Sequence, residues 1–278
     1  MKETNPEGRA RRWLSRLAGS SDVMEGFPAS VLVVDGVLGD EPARYIAVEK
    51  DADNPFPRAR NGEVGLLEGW SLARAVREVV SMDKGARIQR PIVAIIDTPS
   101  QAYGRREEAY GIHLSLASAV AAYAQARLEG HPVIGLIVGK AMSGAFLAHG
   151  YQANRLIALE DPEVMVHAMG KAAAARITLR TVEQLEALAQ SVVPMAYDIG
   201  SFSRLGVLWQ LARVSNAANP TTEDVAFIER SMLEALAEIR SDPRRDLSSR
   251  LMGGDSGRAL SSRVRQRLGE MWEPGAMA

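Results

Sequence analysis

Apolar residues along this chain fall into short runs and longer periodic stretches. The runs SVLVVDG (30–36), ARYIAVEK (43–50), PIVAIID (91–97), PVIGLIV (132–138) and NRLIALED (154–161) are rich in β-branched residues. Gly, Pro, Asp or Asn bound them, so they predict strands. Those at 91–97 and 132–138 are continuously apolar, which marks strands covered on both faces. Leu67, Trp70, Leu72, Ala75, Val76, Val79 and Val80 recur at a helical period and predict a helix over 65–84. Ala- and Leu-rich residues 106–129 predict one long helix, and SGAFLAHGY (143–151) a short one. Asp161-Pro162 has the form of an N-cap with a first-turn proline. Thr181 and Gln184 have the spacing of a capping box. Val225, Ile228, Met232, Leu236 and Ile239 form a stripe suited to a core or an interface.

Strands alternating with helices predict an α/β fold with helices packed against sheets. The order alone leaves open a doubly wound sheet or a spiral of ββα turns. Three parts are expected. Residues 1–25, with Arg9, Arg11, Arg12 and Arg16 around Trp13, Leu14 and Leu17, read as an N-terminal arm or a short amphipathic helix. Residues 26–240 read as the domain, and 241–278 as a basic, mobile tail.

Composition narrows the function classes. Among 278 residues, 46% are apolar, enough for a sizeable core. The net charge of −1 gives no global attraction to nucleic acid or anionic membrane. No run approaches the roughly 18–20 apolar residues of a membrane helix. The first residues hold acids and no apolar centre, unlike a secretory signal. A soluble cytoplasmic protein is expected. Cysteine is absent, and the histidines at 113, 131, 149 and 167 lack metal-ligand spacing, so no metal site is expected.

Two strand exits carry the candidate chemistry. PIVAIID runs into TPSQAYG (98–104), and PVIGLIV runs into GKAMSGAF (139–146). Each leaves an apolar strand through a loop towards a helix. Backbone N–H groups at such exits can hold a developing oxyanion, provided small neighbours let the ligand approach. The same small residues also permit simple close packing of helix on strand. Gly139-x-x-x-x-Gly144 is no P-loop, because Ala145-Phe146 replaces Lys-Ser/Thr. It also lacks the G-x-S-x-G spacing that would make Ser143 a nucleophile. Asp97 reads as a strand end that caps a turn, Lys140 as a solvated loop residue, and His113 as a helix residue facing an interface or the core.

RPIVAIIDTPSQAYG, followed some forty residues on by GHPVIGLIVGKAMSGAF, resembles the carboxyltransferase branch of the crotonase superfamily. Residues 43–76 and 153–178 are similar to the gamma subunits of malonate decarboxylases in particular, and the likeness spans roughly 10–240. The resemblance implies a spiral of ββα units with flanking helices. It implies a site shared with a homologous beta subunit, where a malonyl thioester on an acyl-carrier delta subunit loses carbon dioxide. An alpha transferase subunit reloads that carrier, whose prosthetic group is a phosphoribosyl-dephospho-coenzyme A. It further implies backbone donors around Ser100, Gln101, Ala141, Met142, Ser143 and Gly144. Tyr103, Gly104, Gly139 and His113 are the candidates for substrate contact, which the resemblance does not assign. Ser100 stands where carboxyltransferases carry glycine, and Ala141-Met142 where the biotin-dependent relatives carry a glycine pair, so a pocket too narrow for biotin is expected. Phe146 and Leu147 fall where no hydratase glutamate can be matched. Carboxyl transfer to biotin, a non-catalytic scaffold and an independent acyl-coenzyme A hydrolase or hydratase are the other readings.

Overall fold

The computed structural model describes residues 8–251 and 259–272. Helix α1 (Arg9–Ala18) leads into a hairpin of β1 (Val31–Leu38) and β2 (Glu41–Val48), then helix α2 (Leu66–Met82). Strand β3 (Ile92–Thr98) is followed by α3 (Arg105–Ala109), α4 (Ile112–Leu128) and β4 (Val133–Met142). Next come α5 (Ser143–Ala148), β5 (Arg155–Leu159), β6 (Met165–His167), α6 (Lys171–Ile177), α7 (Val182–Ser191) and α8 (Ile199–Ser203). Strand β7 (Gln210–Ala212), α9 (Thr222–Ser241) and α10 (Ala259–Trp272) are the last elements among the described residues. None of the described helices is long and apolar enough to cross a membrane.

The sheet runs β1-β2-β3-β4-β5-β7, antiparallel between β1 and β2 and parallel thereafter. The apolar runs of β3 and β4 are buried on both faces, as their composition requires. Strand β4 is long enough to change partner. Its residues Ile134–Ile137 pair with β5, and Lys140–Met142 pair with β6. Strand β6 thereby branches off the main strand order at the end of β4, within the same seven-stranded sheet.

Three local expectations are corrected, and a choice between two is settled. Residues 139–142, expected as a loop, continue β4, because β6 gives their backbone a ladder. The single helix over 106–129 is split into α3 and α4 by Gly111, whose φ of 79° lies in the left-handed region. Asp161-Pro162 starts a turn rather than a helix. The Asp161 carboxylate accepts from Glu163 N–H at 2.9 Å and from Arg9 at 3.0 Å. From Arg9 onward the N-terminal segment is the short amphipathic helix rather than an arm: Trp13, Leu14 and Leu17 are buried in the main core. The Thr181–Gln184 capping box forms, and Ile228, Met232 and Leu236 of the stripe are core. Of the tail, Arg127 Nη1 donates to the Arg245 carbonyl at 2.6 Å and Arg250 Nη1 to that of Tyr151 at 2.8 Å. Helix α10 buries none of its side chains, and residues 252–258 and 273–278 of the expected tail lie outside the described residues.

Candidate active site

The carboxyl ends of β2, β3 and β4 open into a cleft of about 570 Å³. Arg9, Glu49, Lys50, Asp97, Gly139 and Lys140 are among its lining residues. In open α/β sheets ligands bind in such a crevice outside the strand carboxyl ends. Arg9 closes one side: Nη1 donates to the Val138 carbonyl at 2.9 Å and Nη2 pairs with Glu163 at 2.7 Å. A second cavity of about 380 Å³, lined by residues of α6, α7 and α8 and the turns between them, includes none of the expected site residues.

The two strand exits are tied together twice. The Asp97 carboxylate accepts from Lys140 N–H at 2.9 Å, which spans a register shift between Ile96 and Thr98. Asp97 therefore holds the neighbouring exit rather than capping its own turn. Gly139 must lack a side chain here, since a Cβ would meet Asp97 Oδ1 at 2.2 Å. The second tie is Gln101. Its Oε1 accepts from Gly144 N–H at 2.8 Å and from the Ser143 hydroxyl at 3.3 Å. Ser143 has φ of 61°, a left-handed conformation that costs a side-chain-bearing residue about 1–2 kcal/mol.

The expected donors thus differ in availability. Gly144 N–H already has a partner in Gln101. Ala141 is fully buried in the sheet, in register with Thr98 on one side and Val166 on the other. Met142 is buried beside His167 of β6. Ser100 is half-buried, its hydroxyl donating to the Gln101 carbonyl at 3.0 Å and its own carbonyl accepting from Val64 N–H at 3.0 Å. Gly104 precedes α3, Tyr103 is exposed, and His113 is exposed on the first turn of α4 rather than in the core. The same helix places Leu116 about 3.4 Å from where a Gly144 Cβ would stand, so its first turns flank the exit.

His167 and Tyr197 were not singled out from sequence. Their rings stack at 3.8 Å and 13° beside the end of β4. Burial lowers the His167 pKa, against the opposing pull of the Met169 carbonyl. A three-residue strand gives too little pattern to announce itself. Among the described residues no group of His, Asp and Glu could hold a metal.

His149 is a second buried histidine, behind the site. Nε2 lies 2.9 Å from the Ile95 carbonyl and Nδ1 3.1 Å from the Tyr123 hydroxyl. Burial drives its pKa down to about 4, despite the carbonyl bond. The unfolded chain takes up this proton near pH 6.5, whereas the folded chain resists it until about pH 4. Protonation therefore favours unfolding, and about 2 kcal/mol of stability should disappear between about pH 6.5 and 5. Urea titrations at the two pH values, with His149→Gln as control, measure it. An equal pH dependence in the variant would remove His149 as the cause.

The family model described as malonate decarboxylase gamma subunit matches residues 59–272. The chain is 35% identical over 207 residues to the malonyl-S-ACP:biotin-protein carboxyltransferase of Malonomonas rubra, covering 73% of this chain and 68% of that protein. It superimposes on a chain of the Pseudomonas malonate decarboxylase hetero-tetramer in complex with coenzyme A at a TM-score of 0.92, with 60% identity over 96% of this chain and 100% of that chain. For the Pseudomonas MdcD-MdcE hetero-dimer the TM-score is 0.88, with 59% identity and the same coverage. Transcarboxylase 12S, at 18% identity and a TM-score of 0.65 over 86% of this chain and 43% of that one, shares the fold alone. The architecture is that of carboxyltransferases with the crotonase-like fold. Matched over most of its length by the family model, with the strand exits and buried sheet to go with it, this chain belongs to the malonate decarboxylase gamma-subunit family.

Proposed function

We propose that this chain works as one half of a decarboxylation site, completed by a homologous beta subunit. The substrate is a malonyl thioester presented by an acyl-carrier delta subunit on a phosphoribosyl-dephospho-coenzyme A arm, reloaded by an alpha transferase subunit. The bond between the carboxylate and the central carbon breaks, and its electron pair moves into the thioester as an enolate. Carbon dioxide leaves, and the carbon then takes a proton from water to give the acetyl thioester. Such a step calls for preorganised hydrogen-bond donors at the enolate oxygen. The observation that carries this reading is the coupling of the two exits, through Asp97 to Lys140 N–H and through Gln101 to Gly144 N–H. Both fix the backbone around 98–104 and 139–144 before any ligand arrives.

The test is reconstitution. Purified chain, beta subunit and malonyl-loaded carrier are combined, and carbon dioxide release is followed. Release is expected only when both subunits are present and should be insensitive to avidin. Release by this chain alone would end the shared-site reading. The Malonomonas relative favours a second reading, in which the carboxyl group passes to biotin. Transfer of label from malonyl carrier to a biotinylated protein would establish it. The expected exclusion of biotin rests on Met142, since the Ala141 methyl is wholly within the core.

A further inference from the structure

The side-chain amide of Gln101 has one end committed and the other without an acceptor among the described residues. Oε1 receives Gly144 N–H and the Ser143 hydroxyl. A backbone N–H can only donate, so chemistry fixes which end of the amide faces α5. The backbone beneath is fixed as well. Val64 N–H donates to the Ser100 carbonyl at 3.0 Å, and Ala102 N–H to the Val64 carbonyl at 2.8 Å. A Cβ on residue 144 would lie 2.0 Å from Oε1, so only glycine admits this contact. The left-handed turn at Ser143 lets its hydroxyl and the next N–H converge on one acceptor. What remains is the Nε2 amino group. It has no acceptor among the described residues, and Gln101 is only half-buried.

We infer that the Gln101 Nε2 group is the hydrogen-bond donor that loop 98–104 offers to a malonyl-type thioester, and that Gly144 N–H and Ser143 Oγ are positioning groups for it. The inference rests on the decarboxylase reading and changes its residue assignment. The Gly144 N–H is not offered to the oxyanion; it orients a neutral amide that is. Holding both atoms of a flexible amide in advance removes the reorganisation that would otherwise accompany charge development. A primary amide also suits the reaction, since it can meet either the enolate oxygen or the departing carboxylate without giving up a proton.

The experiment uses the reconstituted complex and malonyl-loaded carrier. Gln101→Glu keeps an acceptor for Gly144 N–H and replaces the donor with a carboxylate oxygen. Its kcat at about pH 8 should fall about 10²–10³-fold, the loss typical of one oxyanion donor, with KM for the carrier little changed. Its activity relative to wild type should recover as the pH falls towards about 5, where a growing fraction of the carboxyl carries a proton and can donate. Gln101→Met, of similar length and without donors, should lose activity at both pH values. A Gln101→Glu enzyme within about threefold of wild-type kcat at pH 8 would overturn the inference. Loss of beta-subunit binding by both variants would also overturn it, since the side chain would then be a structural clamp. A wild-type complex that releases no carbon dioxide removes the functional reading itself, a separate result visible before any variant is made.

Discussion

Replacing Trp13 with alanine is expected to lower the unfolding free energy by about 3–5 kcal/mol, the usual range for removing a buried tryptophan. Its indole is fully buried and its N–H donates to the Ala217 carbonyl at 2.8 Å. Helix α1 packs against β1, β2, β3, β4 and α9, so the ring joins the sheet to the C-terminal helix layer. Trp13→Phe keeps most of the volume and loses mainly the hydrogen bond, so it should lose only about 1–2 kcal/mol. Urea unfolding followed by circular dichroism compares the two. A change below about 1 kcal/mol for the alanine variant would mean that α1 is a loosely held arm rather than a docked helix. The consequence reaches the cleft. Arg9, on the first turn of α1, holds the Val138 carbonyl and pairs with Asp161 and Glu163. Undocking α1 removes that wall, so catalytic activity should fall together with stability.

The N-terminal segment shows where sequence pattern stops being informative. Its arginines are as consistent with a solvated arm as with a docked helix, because only the tertiary partners Val138, Glu49 and Asp161 decide where those charges go. The strands read from β-branched runs, and α2 and α9 read from helical periods, appear where the pattern puts them. The missed elements depended on distant partners. GKAM becomes strand only because three residues of β6 lie alongside. The split at Gly111 follows from a positive φ that an Ala-rich background masks. For the site, both exits could be located from their buried strands and small residues. The occupant of the Gly144 donor could not, because Gln101 reaches it across 43 positions of sequence. Nor could the stack of His167 on Tyr197, made by segments too short to carry a period.

Removal of Asp35 is the other large expected effect, and its size follows from what it leaves behind. The Arg44 side chain is 0% exposed, while that of Asp35 is 39% exposed. The two form a bidentate pair, Nε to Oδ1 and Nη2 to Oδ2, each at 2.7 Å. Nη1 of Arg44 donates to the Ala75 carbonyl of α2 at 2.9 Å, with Glu78 at 3.6 Å. Asp35→Ala strands a buried guanidinium and should destabilise by about 3 kcal/mol, near the lower end for such a break because Glu78 remains. Arg44→Met fills the same volume without charge and leaves Asp35 its access to water. It should change stability by about 1 kcal/mol or less, in either direction. With Arg44→Met in place, Asp35→Ala should then add almost nothing, the signature of two coupled groups in a double-mutant cycle. Equal losses from the two single variants would assign the effect to packing instead. Arg44 sits near the start of β2, and the cleft lies at the other end, beyond Val48. Activity per folded complex should therefore stay at the wild-type level even where Asp35→Ala lowers the unfolding midpoint.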